Sequence, residues 1–101
     1  MKVNTQAVHF TVDNKLITFI EKKLSKLELY FDRILQAKVF LKLENTGRVR
    51  DKIVEIQLLL PGQTLYAKES SKKFELSIDQ VAASLKRQLI KYKDRKRRNR
   101  A

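Results

Sequence analysis

The chain has 101 residues, with 23 Lys or Arg against 11 Asp or Glu, a formal net charge of +12. That length allows one domain, whose folding buries only roughly 60–70% of the unfolded surface. Cysteine is absent, so disulfides and thiolate metal sites are excluded; no apolar run reaches membrane-span length, and MKVNTQAVHF lacks the basic-then-apolar layout of a secretory leader. A cytoplasmic protein is expected.

Met1–Phe10 alternates weakly and predicts a first strand. Asp13 then stands as a helix N-cap before Leu16, Phe19, Ile20, Leu24, Leu27, Tyr30 and Phe31, the spacing of one helical face. On that helix Lys15, Lys22 and Lys26 fall nearly in line opposite the apolar stripe, with Lys23 at its edge. Period two follows. Ala37, Val39, Leu41 and Leu43 alternate with Lys38, Phe40, Lys42 and Glu44, a half-buried strand. Asn45-Thr46-Gly47 marks a turn, and Val54, Ile56, Leu58 and Leu60 form the apolar side of the next strand. Pro61-Gly62 signals a second turn, into a short strand over Thr64–Glu69. Ser70 or Ser71 is placed to cap the last helix, whose apolar seam is Phe74, Ile78, Val81, Ala82, Leu85, Leu89 and Tyr92. The seam would continue at Lys96 and then Asn99 or Arg100, so it stops at Tyr92. Beyond Tyr92 the chain is expected to project or fray and to order only against a partner.

The order β-α-β-β-β-α gives each strand one apolar face and each helix one apolar stripe. The economical solution is an α+β two-layer sandwich, with both helices on one face of a four-stranded sheet. The last three strands form an antiparallel meander. The other sheet face carries Lys38, Phe40, Lys42, Glu55 and Gln57 and is polar enough to meet water. Residues 1–96 are expected to form the domain, and 97–101 a basic C-terminal extension.

Catalytic chemistry finds no support. His9 is the only histidine and reads as a surface or cap residue at a strand end, because histidine ligands come in clusters. There is no G-x-S-x-G, P-loop or H-E-x-x-H pattern. Glu69, Glu75 and Asp79 show no acid/base spacing and read as solvated charges at a helix start, where the dipole favours them. No enzyme, cofactor, metal or small-molecule substrate is expected.

The charge points to an anionic partner. Residues 86–101 hold nine of the basic residues and a single acid, Asp94. A basic patch on a small module is the usual footprint of nucleic-acid binding. A membrane surface is disfavoured, since the last helix needs its apolar stripe for the core. Most aromatics (Phe19, Tyr30, Phe31, Phe74, Tyr92) fall on stripes assigned to the core. Phe40, with Tyr66 as a neighbour, is too sparse for a base-stacking platform. Contact through phosphates is therefore expected, which reads shape more than sequence. A generic RNA- or DNA-binding module or a ribosome assembly factor would share these features.

YFDRILQAKVFLKLE (Tyr30–Glu44) and SIDQVAASLKRQLIKYKDRKRR (Ser77–Arg98) resemble the ribosome hibernation-promoting factor family, which includes the ribosome-associated translation inhibitors. The opening M-x-V-N and the Asp13–Leu16–Phe19 helix start fit as well, so the resemblance covers essentially the whole chain. It implies a protein that binds the small ribosomal subunit between head and body, overlaps the messenger RNA path and tRNA sites, and silences translation by occlusion. It also implies that basic residues of both helices meet ribosomal RNA. The matching positions are Lys23, Lys26 and Arg33 near the first helix, and Lys86, Arg87, Lys91, Lys93, Arg95 and Lys96 on the second. Charge geometry adds Lys22, Arg97, Arg98 and Arg100. Many relatives carry an acid and a Tyr near the start of the last helix, where this chain has Lys73 and Phe74. Long members add a C-terminal domain that pairs two ribosomes. This chain reads as a short form, monomeric off the ribosome.

Overall fold

The computed structural model describes the backbone of residues 1–46 and 49–98 and the side chains of residues 1–44 and 51–96. Its elements are β1 (Lys2–Ala7), α1 (Asn14–Ser25), a 3-10 turn (Lys26–Leu29), β2 (Gln36–Thr46), β3 (Val49–Leu60), β4 (Gln63–Ser71) and α2 (Phe74–Arg98). The four strands form one sheet in sequence order, with β1 parallel to β2 and the β2–β3–β4 meander antiparallel. Both helices cover one face. This is the α+β sandwich that the periodicities predict.

The first strand is shorter than Met1–Phe10: its pairing ends at Ala7↔Leu41, where the chain turns away toward α1 while β2 continues to Thr46. His9 follows it, exposed and at a φ of +63°, in the left-handed turn that leads to α1. Asp13 caps α1 as expected. Its backbone is extended, and Oδ1 accepts the Leu16 N–H at 2.8 Å, satisfying one of the orphan donors of the first turn.

The helical stripe predicted through Phe31 divides at Ser25. Ser25 Oγ donates to the Lys22 carbonyl at 2.8 Å, and the chain then tightens into the 3-10 turn. Short polar side chains that bond backward compete with the regular ladder, and 3-10 geometry is common at helix ends. Leu27 remains buried through this change, and Ile34 in the connection to β2 joins it.

β2 and β3 are both longer than their apolar alternation. Their pairing continues to Thr46↔Val49, past Glu44↔Asp51, where no alternation marks a strand. A ladder needs backbone donors and acceptors rather than apolar side chains, so this extension leaves no apolar trace. Of the Asn45-Thr46-Gly47 turn signal, Thr46 lies in β2 and Gly47 lies outside the described residues. The second turn is Pro61-Gly62, between the paired Leu60 and Gln63. Gly62 has φ +77°, the value needed at the second central position of a type II turn with Pro before it.

The core lies between sheet and helices. Val39, Leu41, Val54, Ile56 and Leu58 from the sheet meet Ile20 and Leu24 of α1 and Ile78, Val81, Leu85 and Leu89 of α2. Each such side chain contributes about 1.5–3 kcal/mol by leaving water. The α2 seam is buried as predicted, with Ala82 half-buried and Tyr92 the last buried position described. Phe74 and Tyr92 are buried, whereas Phe19, Tyr30 and Phe31 are only half-buried, at the edge of the core.

The start of α2 departs from a simple serine cap. Ser71 is the end of β4, and its Oγ accepts the Lys73 N–H at 3.3 Å. Ser77 is fully buried; its hydroxyl donates to the Lys52 carbonyl at 2.8 Å and lies 2.7 Å from Ser71 Oγ. The serines therefore join β3, β4 and α2 at one point. At its other end α2 stays helical to Arg98, beyond the last seam residue. The expectation of order only against a partner is corrected for the backbone up to there. The run is rich in Lys and Arg, good helix formers, and has no Gly or Pro to stop it.

Candidate nucleic-acid interface

The helices lie side by side and run in the same direction. Phe10, just before α1, stacks on Phe74 at 5.5 Å; Lys23 pairs with Asp79 at 3.0 Å; Lys86 lies 4.9 Å over the Tyr30 ring. The pairs advance together along both segments. Beyond Ser84 the exposed surface of α2 is a basic strip, whereas its first half exposes Glu75, Leu76, Asp79 and Gln80.

On α2, Arg87, Lys91 and Arg95 recur every four residues and form one exposed ridge, while Lys86 and Lys93, seven apart, share the other flank, where Lys86 meets Tyr30. From Lys86 to Lys96 the rise is about 15 Å. All six of these basic side chains, Lys96 included, are exposed, and Asp94 is the only acid among them. Lys96 lies 5.2 Å over the Tyr92 ring, and Lys86 over Tyr30 as above. Both rings hold the lysine stems against the fold while the ammonium groups remain at the surface.

On the first segment, Lys22 and Lys26 are exposed one turn apart, and Arg33 is exposed in the connection to β2. Lys23 differs. It is half-buried, bonded to Asp79 Oδ1 at 3.0 Å and 5.4 Å from the Phe19 ring. Its charge is engaged in joining the helices. Arg97 and Arg98 lie on the helical backbone, but their side chains, like the whole of Arg100, are outside the described residues.

Two features beside the strip escape the periodicity. Lys15, Lys52, Lys72 and Lys73 surround an open depression of about 480 Å³ at the N-terminal ends of both helices, with Asp13 and Glu75 on the same rim. Lys52, from a strand, is the member that sequence spacing could not place there; the K-E-S-S-K-K run was the visible hint. A larger depression, about 680 Å³, lies at the other end between Glu28–Arg33, Pro61 and the Lys93–Lys96 end of α2.

The open sheet face is polar and internally paired. Glu55 Oε1 is 2.9 Å from Lys42 Nζ and 3.6 Å from Lys68 Nζ. The Lys42 hydrogen bond chiefly holds the Glu55 carboxyl below the usual carboxylate range, against partial desolvation, and the same bond raises Lys42. Phe40 and Tyr66 sit in different cross-strand rows, Phe40 with Glu55 and Tyr66 with Gln57, so they form no continuous aromatic surface. Among the described residues, no group of three or more His, Cys, Asp or Glu side chains is placed to hold a metal ion, and no helix is long and apolar enough to cross a membrane.

The fold has counterparts among known proteins. A ribosome hibernation promoting factor of Pseudomonas putida is 33% identical over 95 residues, 94% of this chain and 89% of that protein. One from Escherichia coli is 32% identical over 95 residues, 94% of this chain and 96% of that protein. The solved structure of a ribosomal subunit interface protein from Coxiella burnetii superposes with a TM-score of 0.82 at 26% identity, covering 93% of this chain and 99% of that one. The model of the family described as Sigma 54 modulation protein / S30EA ribosomal protein matches residues 3–97, and the chain belongs to that family.

Proposed function

We propose that this protein is a cytoplasmic, ribosome-binding factor that silences translation by occupying the messenger RNA and tRNA channel of the small ribosomal subunit, promoting ribosome hibernation. The observation that carries this reading is the exposed Arg87–Lys91–Arg95 ridge on a helix whose seam is buried through Tyr92, with Lys86 and Lys93 on the flank toward α1 and Lys96 exposed where the seam ends. A rigid basic rod of this kind suits folded RNA, where phosphates are met across a surface rather than bases read in a groove. Lys22, Lys26 and Arg33 extend the same surface. Lys23 acts first by fixing α1 against α2, and any RNA contact it makes competes with Asp79. Residues 1–96 serve as the ribosome-binding domain, and the basic residues of 97–101 add phosphate contacts. The protein acts as a monomer by filling space, with no chemical step.

Co-sedimentation with purified ribosomal subunits over a salt series tests this. Binding should favour the small subunit, and affinity should fall steeply with salt, with a log–log slope of roughly −0.7 to −0.9 per phosphate neutralised. Preference for the large subunit, or a flat salt response, would contradict it.

A further inference from the structure

The 680 Å³ depression has a composition that the phosphate strip does not need. Leu29 is 81% exposed, the highest value among the large apolar side chains described, and stands on its rim beside Tyr30, Phe31 and Pro61. The wall is held in place: Phe31 meets Tyr92 edge-on at 5.3 Å, and the Tyr92 hydroxyl donates to the Pro61 carbonyl at 3.3 Å. Around this apolar wall stand the cations Arg33, Lys93 and Lys96. Two carboxylates share the rim, Glu28 and Asp32, and the N-terminal ammonium lies 3.4 Å from Glu28. The rim is therefore net positive.

An apolar seat beside several cations matches one nucleotide: a flat base with a phosphate attached. Its volume lies within the roughly 300–1,000 Å³ of ordinary ligand sites. A base within a duplex is stacked on both faces, so only an unpaired one can present a face to Leu29 and the aromatic wall. The cations join the depression to the strip, since Lys93 and Lys96 belong to α2 and Arg33 to the adjoining connection.

We infer that this depression receives one unpaired nucleotide of the bound RNA, its base against Leu29, Tyr30, Phe31 and Pro61 and its phosphate among Arg33, Lys93 and Lys96. The inference rests on the RNA-binding reading and adds a base contact to a surface otherwise made for phosphates. It gives the complex a fixed register along the RNA, which a uniform basic strip lacks.

Leu29→Ala tests it, because so exposed a side chain carries little of the fold. Small subunits bound by the full chain are probed for base reactivity with dimethyl sulfate and a carbodiimide, which together reach all four bases, with Leu76→Ala as an exposed control at the other end of α2. Leu29→Ala should lose protection of one unpaired base and bind about 5-fold or more weakly, on the scale of a lost base contact. Leu76→Ala should match the unaltered protein. A photoreactive side chain at position 29 should crosslink to RNA. Unchanged protection and affinity in Leu29→Ala, or a crosslink to a ribosomal protein instead, would overturn the nucleotide seat while leaving the basic strip standing. If the unaltered protein protects no RNA at all, the seat and the RNA-binding reading fail together.

Discussion

Two polar residues show how single side chains hold this fold. Ser77 is fully buried where β3, β4 and α2 meet, and its hydroxyl satisfies the Lys52 carbonyl. Ser77→Ala leaves that carbonyl without its partner, and should cost about 1–2 kcal/mol in urea unfolding; a loss under ~0.5 kcal/mol, the scale of an ordinary surface substitution, would mean the junction is held elsewhere. Glu55 sits between Lys42 and Lys68 on the open sheet face. Its carboxyl is held below the usual range, so its contribution is present above that range and lost as pH falls through the folded value. The raised Lys42 contributes below the usual lysine range and loses its share as pH rises through its folded value. Unfolding midpoints at neutral pH should therefore be lower for Glu55→Gln than for the unaltered protein, and the two should converge on strong acidification. A constant gap down to the acid limit would contradict the ion-pair origin. Neither Ser77 nor Glu55 stands out in the sequence as a partner of a particular group, because both bonds link segments far apart in the chain. Lys23 was legible as basic, but its bond to Asp79 was not, for the same reason.

At the scale of elements, apolar periodicity carries most of the fold. The α2 seam from Phe74 to Tyr92, the Ala37, Val39 and Leu41 row of β2 and the Val54, Ile56, Leu58 and Leu60 row of β3 are where the spacing places them, whereas Leu43, the last of the β2 row, is exposed because the hairpin there runs past the helices. The mismatches occur where backbone bonding, not burial, sets the limits: the 3-10 turn after Ser25, the hairpin extension to Thr46 and Val49, and the helical run from Lys93 to Arg98. The basic ridge was equally legible, since a regular helix fixes which side chains oppose a known seam. The depression at Leu29 was not, because it depends on how the 3-10 turn, Pro61 and α2 meet. A prediction belongs to α2 itself. Converting Lys86, Arg87 and Lys91 together to Glu should abolish detectable ribosome binding, while circular dichroism shows an unchanged fold. Stability should fall by only about 0.5–1 kcal/mol, for the loss of the Lys86 contact with Tyr30. Retained binding would place the interface elsewhere, and unfolding would mean that these exposed side chains carry structure.

For the molecule as a whole, the two layers have different tasks. The sheet's open face neutralises much of its own charge, whereas the helical layer holds Lys22, Lys26, Arg33, Arg87, Lys91, Lys93 and Arg95 exposed at the surface. The parallel helices, tied by Lys23 and Asp79, present those cations as one rigid body. A rigid basic body can block a channel simply by residing in it. The measurement that bears most directly on this is competition on the small subunit. Subunits are loaded with messenger RNA and tRNA in one sample and left empty in another, and binding of the protein is compared at one salt concentration. Occlusion predicts strong binding to the empty subunits and its loss on the loaded ones, with excess protein displacing tRNA in return. Equal binding to both, with tRNA retained, would contradict it.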